Sequence, residues 1–284
     1  IAFQIQTQAQ QSQVSNLKCE YLINPIGIDA TSPRLHWQML DNRQGAMQLA
    51  SQVIVGTDSV QVASGKGNCW DTGKISGSEM LVSYQGKALQ PFTKYYWSVI
   101  LWDKDQQKSA PAKIASFETG MMQISNWKGE WISDSKDIAL KPTPYFRKQF
   151  QPSGKIKSAR IYMAAAGLYE LSINGQRVSD HRLDPMYTRF DRRTLYVTYD
   201  VTSLVNATEV ALGVLLGNGW YNHQSTAVWY FHEAPWRDRP KFCLDLRITY
   251  QDGREEVITS GTDWKTSLSP IILNSIYTAE HHDA

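Results

Sequence analysis

The chain has 284 residues, about twice the usual length of one domain, with 42% hydrophobic and 20% charged residues, a balance that excludes disordered, collagen-like and coiled-coil classes. Its 29 Lys and Arg against 27 Asp and Glu leave a net charge of +2 with no basic run, too weak a field to hold a nucleic-acid backbone, and no stretch approaches the roughly 20 apolar residues of a membrane-spanning helix. The departure is aromatic: 14 Tyr, 10 Trp and 8 Phe are side chains that favour strands and stack on ligands.

The chain opens without Met. Residues 1–10, with the small Thr7 and Ala9 two apart before Gln10, read either as the tail of a secretory signal or as a ragged polar terminus, and residues 1–13 are set apart from the fold. From residue 14 to about 120, short apolar runs alternate with turn residues. The runs include 52–56 (Gln-Val-Ile-Val-Gly), 95–102 (Tyr-Tyr-Trp-Ser-Val-Ile-Leu-Trp) and 115–119 (Ala-Ser-Phe-Glu-Thr), with turns at 65–68 and 103–106. Helical periodicity over several turns is absent. In 95–102 both alternating sets are largely apolar, so the pattern gives a strand without saying which face is buried. Such strands over 14–120 predict a small β-sandwich. A proline-led turn entering a tyrosine-bearing strand at 89–97, and the ending Phe-Glu-Thr-Gly at 117–120, resemble a fibronectin type III or related immunoglobulin-like domain. That fold by itself says almost nothing about function.

Residues 121–130 read as a linker and 131–284 as a second domain. Its predicted strands fall at 145–150, 158–164, 210–216, 242–250 and 255–259, and the turn containing Asp252-Gly253 joins the last two as a hairpin. One helical turn is expected after Asp200, capped by Asp200 or Thr202. A jelly-roll sandwich fits this length and strand count. The expected fold class is therefore all-β, with two β-sandwich domains: immunoglobulin or fibronectin III-like, then jelly-roll and carbohydrate-binding-like. Cys19, Cys69 and Cys243 are far apart, form no Cys-x-x-Cys pair and are expected to be buried as small apolar side chains.

The usual catalytic signatures, a GxSxG elbow, a phosphate loop, an HExxH helix or a GxGxxG turn, are missing. His281-His282-Asp283 is a poor metal site, because adjacent strand side chains point to opposite faces. Glu170, Asp180, Asp184 and Asp191 are expected to be solvated strand and turn acids, since nothing nearby marks one for a raised pKa. The denser constellation lies in 166–178 (a strand, the Asn174-Gly175 turn and a return strand), in the polar and aromatic loop 183–193, and in 216–221 (Leu-Gly-Asn-Gly-Trp-Tyr). Glycines flanking Asn218 let the backbone approach a ligand, while Trp220 and Tyr221 offer flat faces. A sugar suits this chemistry: its C–H faces stack on rings and its hydroxyls pair with Asn, Asp and Arg. The candidate sugar-binding residues are Asn174, Asp184, Tyr187, Arg189, Asn218, Trp220 and Tyr221. The alternatives are a core role for Trp220 and a plain turn for Asn174.

Residues 22–29 (Leu-Ile-Asn-Pro-Ile-Gly-Ile-Asp), 33–37 (Pro-Arg-Leu-His-Trp), 169–178 (Tyr-Glu-Leu-Ser-Ile-Asn-Gly-Gln-Arg-Val), 199–202 (Tyr-Asp-Val-Thr) and 216–221 resemble the N-terminal region of bacterial α-L-rhamnosidases. The ending 276–284 is similar to the strand that closes the second module, and the resemblance covers 17–284. It implies a fibronectin-like first module and a second β-sandwich related to rhamnose-binding modules. It also implies a further β-domain and an (α/α)6 barrel beyond this chain, in which a general acid and a general base remove terminal α-L-rhamnose with inversion. Catalytic residues are then outside the chain, which alone is expected to be inactive. The implied partners are rhamnose-containing glycans or rhamnosides and the protein's own C-terminal catalytic domain. With the signal-like start, the implied location is the bacterial periplasm, the cell surface or the medium. No cofactor is required; calcium is the one the resemblance allows, held in some relatives by loop Asp and Asn side chains. Asn174 and Asn218 are the positions that carry over, although Ile173 stands where an acid is expected. The second module then either binds sugar or acts as a scaffold, its aromatics, including 228–232 and Trp236-Arg237, facing the absent domains. Hydrolysis by paired carboxylates inside the sandwich is a third and much weaker reading.

Overall fold

The computed structural model describes residues 12–226 and 229–283. Most of the signal-like start, Val228 of the aromatic stretch and the terminal Ala284 lie outside the described residues. The chain divides into two compact units, Ile1–Ile124 and Ser125–Ala284. Among the described residues no helix is long and apolar enough to cross a membrane.

The first unit runs β1 (Gln13–Cys19), β2 (Arg34–Leu40), β3 (Gln48–Gly56), α1 (Ser59–Ala63), β4 (Trp70–Asp71), β5 (Ile75–Ser76), β6 (Leu81–Ser83), β7 (Lys94–Asp103) and β8 (Ala115–Glu118). One sheet orders β1-β2-β6 and the other β4-β3-β7-β8, with β5 also on β3. Leu35 and Trp37 of β2 meet Val53, Val55, Trp97, Val99 and Phe117 in the core between the sheets. The alternate residues Ile54 and Ile100 are buried as well, packed with Val62 of α1. This is why 95–102 is apolar on both alternating sets: β7 is covered on both faces. The helix has only five residues, too few for periodicity to register, but Asp58 caps it by accepting from the N–H groups of Val60 and Gln61. At the proline-led turn, Gln90 N donates to Tyr95 Oη at 2.8 Å and Thr119 Oγ1 donates to Gln90 O at 2.5 Å. The tyrosine and threonine read from the sequence thus pin the turn to the ends of β7 and β8.

The second unit runs β9 (Pro144–Phe150), β10 (Ile156–Ala166), β11 (Leu168–Ile173), β12 (Gln176–Arg177), β13 (Tyr196–Asp200), β14 (Val210–Gly217), β15 (Lys241–Tyr250), β16 (Glu255–Thr259), β17 (Lys265–Leu268), β18 (Ile271–Ser275) and β19 (Ala279–His282). A four-stranded sheet, β13-β10-β15-β16, faces a five-stranded one, β12-β11-β14-β9-β17, and β18-β19 is a separate hairpin. Strand β14 shows the logic: Val210, Leu212, Val214 and Leu216 are buried in the core, while Ala211, Gly213, Leu215 and Gly217 alternate onto the outer face. The Asn-Gly hairpin forms between β11 and β12 with both turn residues at positive φ, 51° and 80°, as a type I′ turn requires. Asp252-Gly253 likewise turns β15 into β16. After Asp200, whose Oδ1 accepts from Thr202 N, one turn closes with Val205 N donating to Val201 O.

The outer face of β10 and β15 is also buried, because residues 127–130 lie across it. Asp245, fully buried, accepts from Lys128 N and Gly129 N, and Trp127 meets Tyr196 edge-on at 5.6 Å. Burial pushes the Asp245 carboxyl above the usual carboxylate range, against those backbone bonds. Burial also pushes the Cys19 and Cys243 thiols up to about 12, as expected of inert core cysteines, whereas Cys69 is only half-buried.

Candidate functional site

Residues 183–193, 218–226, 229–236 and 274–277 meet at the end of the five-stranded sheet where β11 begins and β14 finishes. Trp220 is their centre. Its ring lies 5.1 Å from Phe231, 5.9 Å from Tyr277, and 6.1 Å from both Tyr187 and Trp229. Beneath it sits His223 at 5.6 Å, 1% exposed, with neither ring nitrogen hydrogen-bonded among the described residues. The loop is seated on the 138–140 backbone: Asn222 and Gln224 donate to Ile138 O, and Arg239, in a buried ion pair with Asp134 at 2.5 Å, donates to Leu140 O.

Two adjoining cavities open here. One, of about 220 Å³, has Leu168, Leu183, Met186, Tyr187, Phe190 and Trp220 among its walls. The other, of about 310 Å³, shares Leu168 and Leu183 and adds Glu170, Arg182, Asn274, Glu280 and His282. An aromatic wall therefore continues into a charged and amide-bearing one across an aliphatic floor, as a sugar with apolar faces and hydroxyl edges needs.

The sequence candidates separate on this geometry. Trp220 and Tyr187 come together and face the smaller cavity. Tyr221 is 7% exposed and lies behind them, against Phe190 at 5.1 Å, with Lys241 5.7 Å over its ring. Arg189 bridges Asp191 at 2.8 Å. Asp184 accepts from Tyr199 Oη at 2.9 Å, Tyr199 in turn lies 2.7 Å from Tyr169 Oη, and His181 Nδ1 is 3.1 Å from the same carboxylate. Burial raises both phenols well above their usual pKa, so both keep their protons and Tyr169 donates to Tyr199. The chain of bonds fastens loop 183–193 to the sandwich.

Asn174 and Asn218, the two positions carried over as calcium ligands, do not share a site. They follow opposite ends of the β11/β14 ladder, which runs from Leu168↔Gly217 to Ile173↔Leu212, a separation on the order of 20 Å. Asn218 is 3% exposed and fully occupied: Nδ2 donates to Asn274 O at 3.0 Å and Oδ1 accepts from Asn222 at 3.1 Å. Asn174 Oδ1 accepts from Ala211 N at 2.8 Å. These residues do not fit a shared calcium ion, and among the described residues no three His, Cys, Asp or Glu side chains cluster as a metal requires. Of the acids, Glu170 is bridged to Arg177, and Asp184 and Asp191 are held as above. Tyr277, Asn274, Arg182, Glu280 and His282 were not read as site residues. Asn274, Arg182, Glu280 and His282 reach the cleft through long-range packing, whereas Tyr277, an aromatic in a loop and so the one with a local signal, packs against Trp220 at 5.9 Å without lining either cavity.

A profile of the α-L-rhamnosidase N-terminal domain matches residues 154–284, and one of the Rha78A-like N-terminal immunoglobulin domain matches 14–123. An α-L-rhamnosidase of Formosa agariphila is 31% identical over 92% of this chain, which spans 30% of that protein's length. The solved α-L-rhamnosidase of Dictyoglumus thermophilum is 37% identical, with a TM-score of 0.87 over 96% of this chain and 31% of its own. That of Streptomyces avermitilis, at 22% identity and a TM-score of 0.88 over 96% of this chain and 43% of its own, shares the fold. With an immunoglobulin-like module at 14–123 followed by a rhamnosidase N-terminal β-sandwich domain at 154–284, the chain is built of the two modules found in the N-terminal region of α-L-rhamnosidases.

Proposed function

We propose that these modules serve a longer α-L-rhamnosidase, a secreted or periplasmic glycoside hydrolase that removes terminal α-L-rhamnose with inversion, and that the second unit binds rhamnose-containing glycans at the loop-end cleft. The observation that carries this reading is the continuous cleft over Leu168 and Leu183, with Tyr187 and Trp220 on one wall and Glu170, Arg182 and Glu280 on the other. The Streptomyces avermitilis relative was crystallised with L-rhamnose, which supports the choice of sugar. Because Asn218 and Asn174 are occupied and far apart, recognition here proceeds by stacking and direct hydrogen bonds without calcium. Titration calorimetry with L-rhamnose tests this: heat is expected equally in calcium and in chelator, and is lost in Trp220→Ala. Heat that vanishes in chelator would refute the calcium-free mode, and no heat in either condition would refute sugar binding.

A scaffold role, with this end of the unit held against the remainder of the protein, is favoured by the exposure of Met186 (73%), Trp229 (69%) and Tyr230 (70%) around the cleft. It predicts concentration-dependent self-association of the isolated chain that Trp229→Ser with Tyr230→Ser abolishes. Sedimentation showing a monomer at all concentrations would exclude it.

A further inference from the structure

The outer face of the five-stranded sheet carries a second arrangement, away from the aromatic loops. One cross-strand row runs Lys265, Arg147, Gly213, Ser172 and Arg177. The sequence neighbours Phe146, Leu212, Leu171 and Ile173 all point into the core, so by strand alternation this row projects outward. Three of its five members are cationic. Arg177 is paired with Glu170 at 2.7 Å, but Arg147 and Lys265 stand directly opposite each other on neighbouring strands, and among the described residues neither meets a carboxylate. Like charges in that position repel and destabilise the pair, a cost that an anion lying between them would relieve.

Next to the cations the floor is bare. A Cβ at Gly213 would come within 2.7 Å of Ser172 Oγ. With Ala211 beside it, the small residue leaves a groove of about 560 Å³ that Arg147, Asn174, Ser172 and Ser267 line. Tyr145, two residues before Arg147 on the same face and 41% exposed, forms one end. Asn174 Oδ1 accepts from Ala211 N of β14, while among the described residues its NH2 meets no acceptor and is open to a ligand.

We propose that this groove binds an acidic saccharide, a sugar bearing a carboxylate or a sulfate ester, with Arg147 and Lys265 on the anion and Tyr145 against the ring. The guanidinium fork matches either oxyanion bidentately, the phenol ring takes an apolar sugar face, and Ser172, Ser267 and Asn174 offer partners for hydroxyls. The site is independent of the loop-end reading, although Tyr145 borders both cavities.

The test is calorimetric titration of the whole chain with trigalacturonate, a sulfated galactose oligosaccharide, neutral galactotriose and inorganic sulfate. At least one acidic saccharide is expected to bind and the neutral one not. Affinity is expected to fall about tenfold or more in Arg147→Gln and in Lys265→Gln, and again when salt is raised from about 50 to about 500 mM. Trp220→Ala is expected to leave it unchanged, which separates this site from the cleft. Binding of trigalacturonate alone identifies a uronate site, and of the sulfated sugar alone a sulfate-ester site. The proposal is overturned if neither acidic saccharide binds at millimolar concentration, if sulfate ion binds as tightly as the saccharides, or if both substitutions leave affinity unchanged while the thermal midpoint confirms folding.

Discussion

Asn218 has no polar atom to spare. Beyond its side-chain bonds to Asn274 and Asn222, its N–H donates to Asn274 Oδ1 and its carbonyl accepts from Tyr221 N and Asn222 N. Deleting one partner of a buried hydrogen bond costs about 1–3 kcal/mol. Asn218→Ala is therefore expected to lower the thermal midpoint of the second unit by roughly 2 to 12 °C, and an unchanged midpoint in a calorimetric scan would contradict the assignment. In the first unit, bonds from Arg43 and then Ser12 hold the Asp41 carboxyl well below the usual carboxylate range. Asp103 is lowered too, since its bonds from Arg43 and two backbone N–H groups outweigh burial. Carboxylates depressed in the folded state add stability that is present above the unfolded value near pH 4 and is lost as pH falls through the folded value. The first unit is expected to weaken progressively below about pH 4, with a shallower pH dependence in Asp41→Asn. Chemical denaturation at pH 7 and pH 3 checks this, and equal slopes in wild type and variant would count against it.

At the scale of elements, the passage from one sheet to the other rests on Gly167, between β10 and β11. Its φ is 116°, and a Cβ there would lie 2.5 Å from Gly217 O, a backbone atom unable to move aside. Gly167→Ala thus combines backbone strain and overpacking, each about 1–3 kcal/mol. Gly175→Ala, where φ is 80° and nothing lies within 4 Å of the added carbon, incurs only the first. Denaturant midpoints of the two variants should rank in that order; equal losses would mean that the chain relaxes at the crossover. Strands and hairpins at this scale were legible in the sequence. Alternation in 210–216 and the Asn174-Gly175 and Asp252-Gly253 turns involve residues a few positions apart, whose φ preferences and side-chain direction are local. The five-residue α1 was not legible, being shorter than the period that reveals a helix. Nor was the buried face of β7, because both its faces are covered.

Each unit of the whole molecule has its own apolar core, one around Trp37, Trp97 and Phe117, the other around Ile161, Val214 and Leu246. Residues 125–284 produced alone are therefore expected to unfold in one cooperative transition with a near-ultraviolet tertiary signal; absence of that signal would show that this core is not self-sufficient. In the candidate site, Trp220 and Tyr187, read from the sequence as loop aromatics, meet at the smaller cavity. Asn218 is engaged instead by Asn274, 56 residues away, and no local motif marks the row of Lys265, Arg147, Gly213, Ser172 and Arg177. The sequence by itself determined the all-β class, the turns and the family resemblance, because alternation, turn chemistry and motif order are properties of neighbouring residues. Only the tertiary structure decided which polar groups are free and which are consumed. Strand register joins residues distant in the chain, and a side chain is available to a ligand only after the fold has satisfied its own buried donors and acceptors.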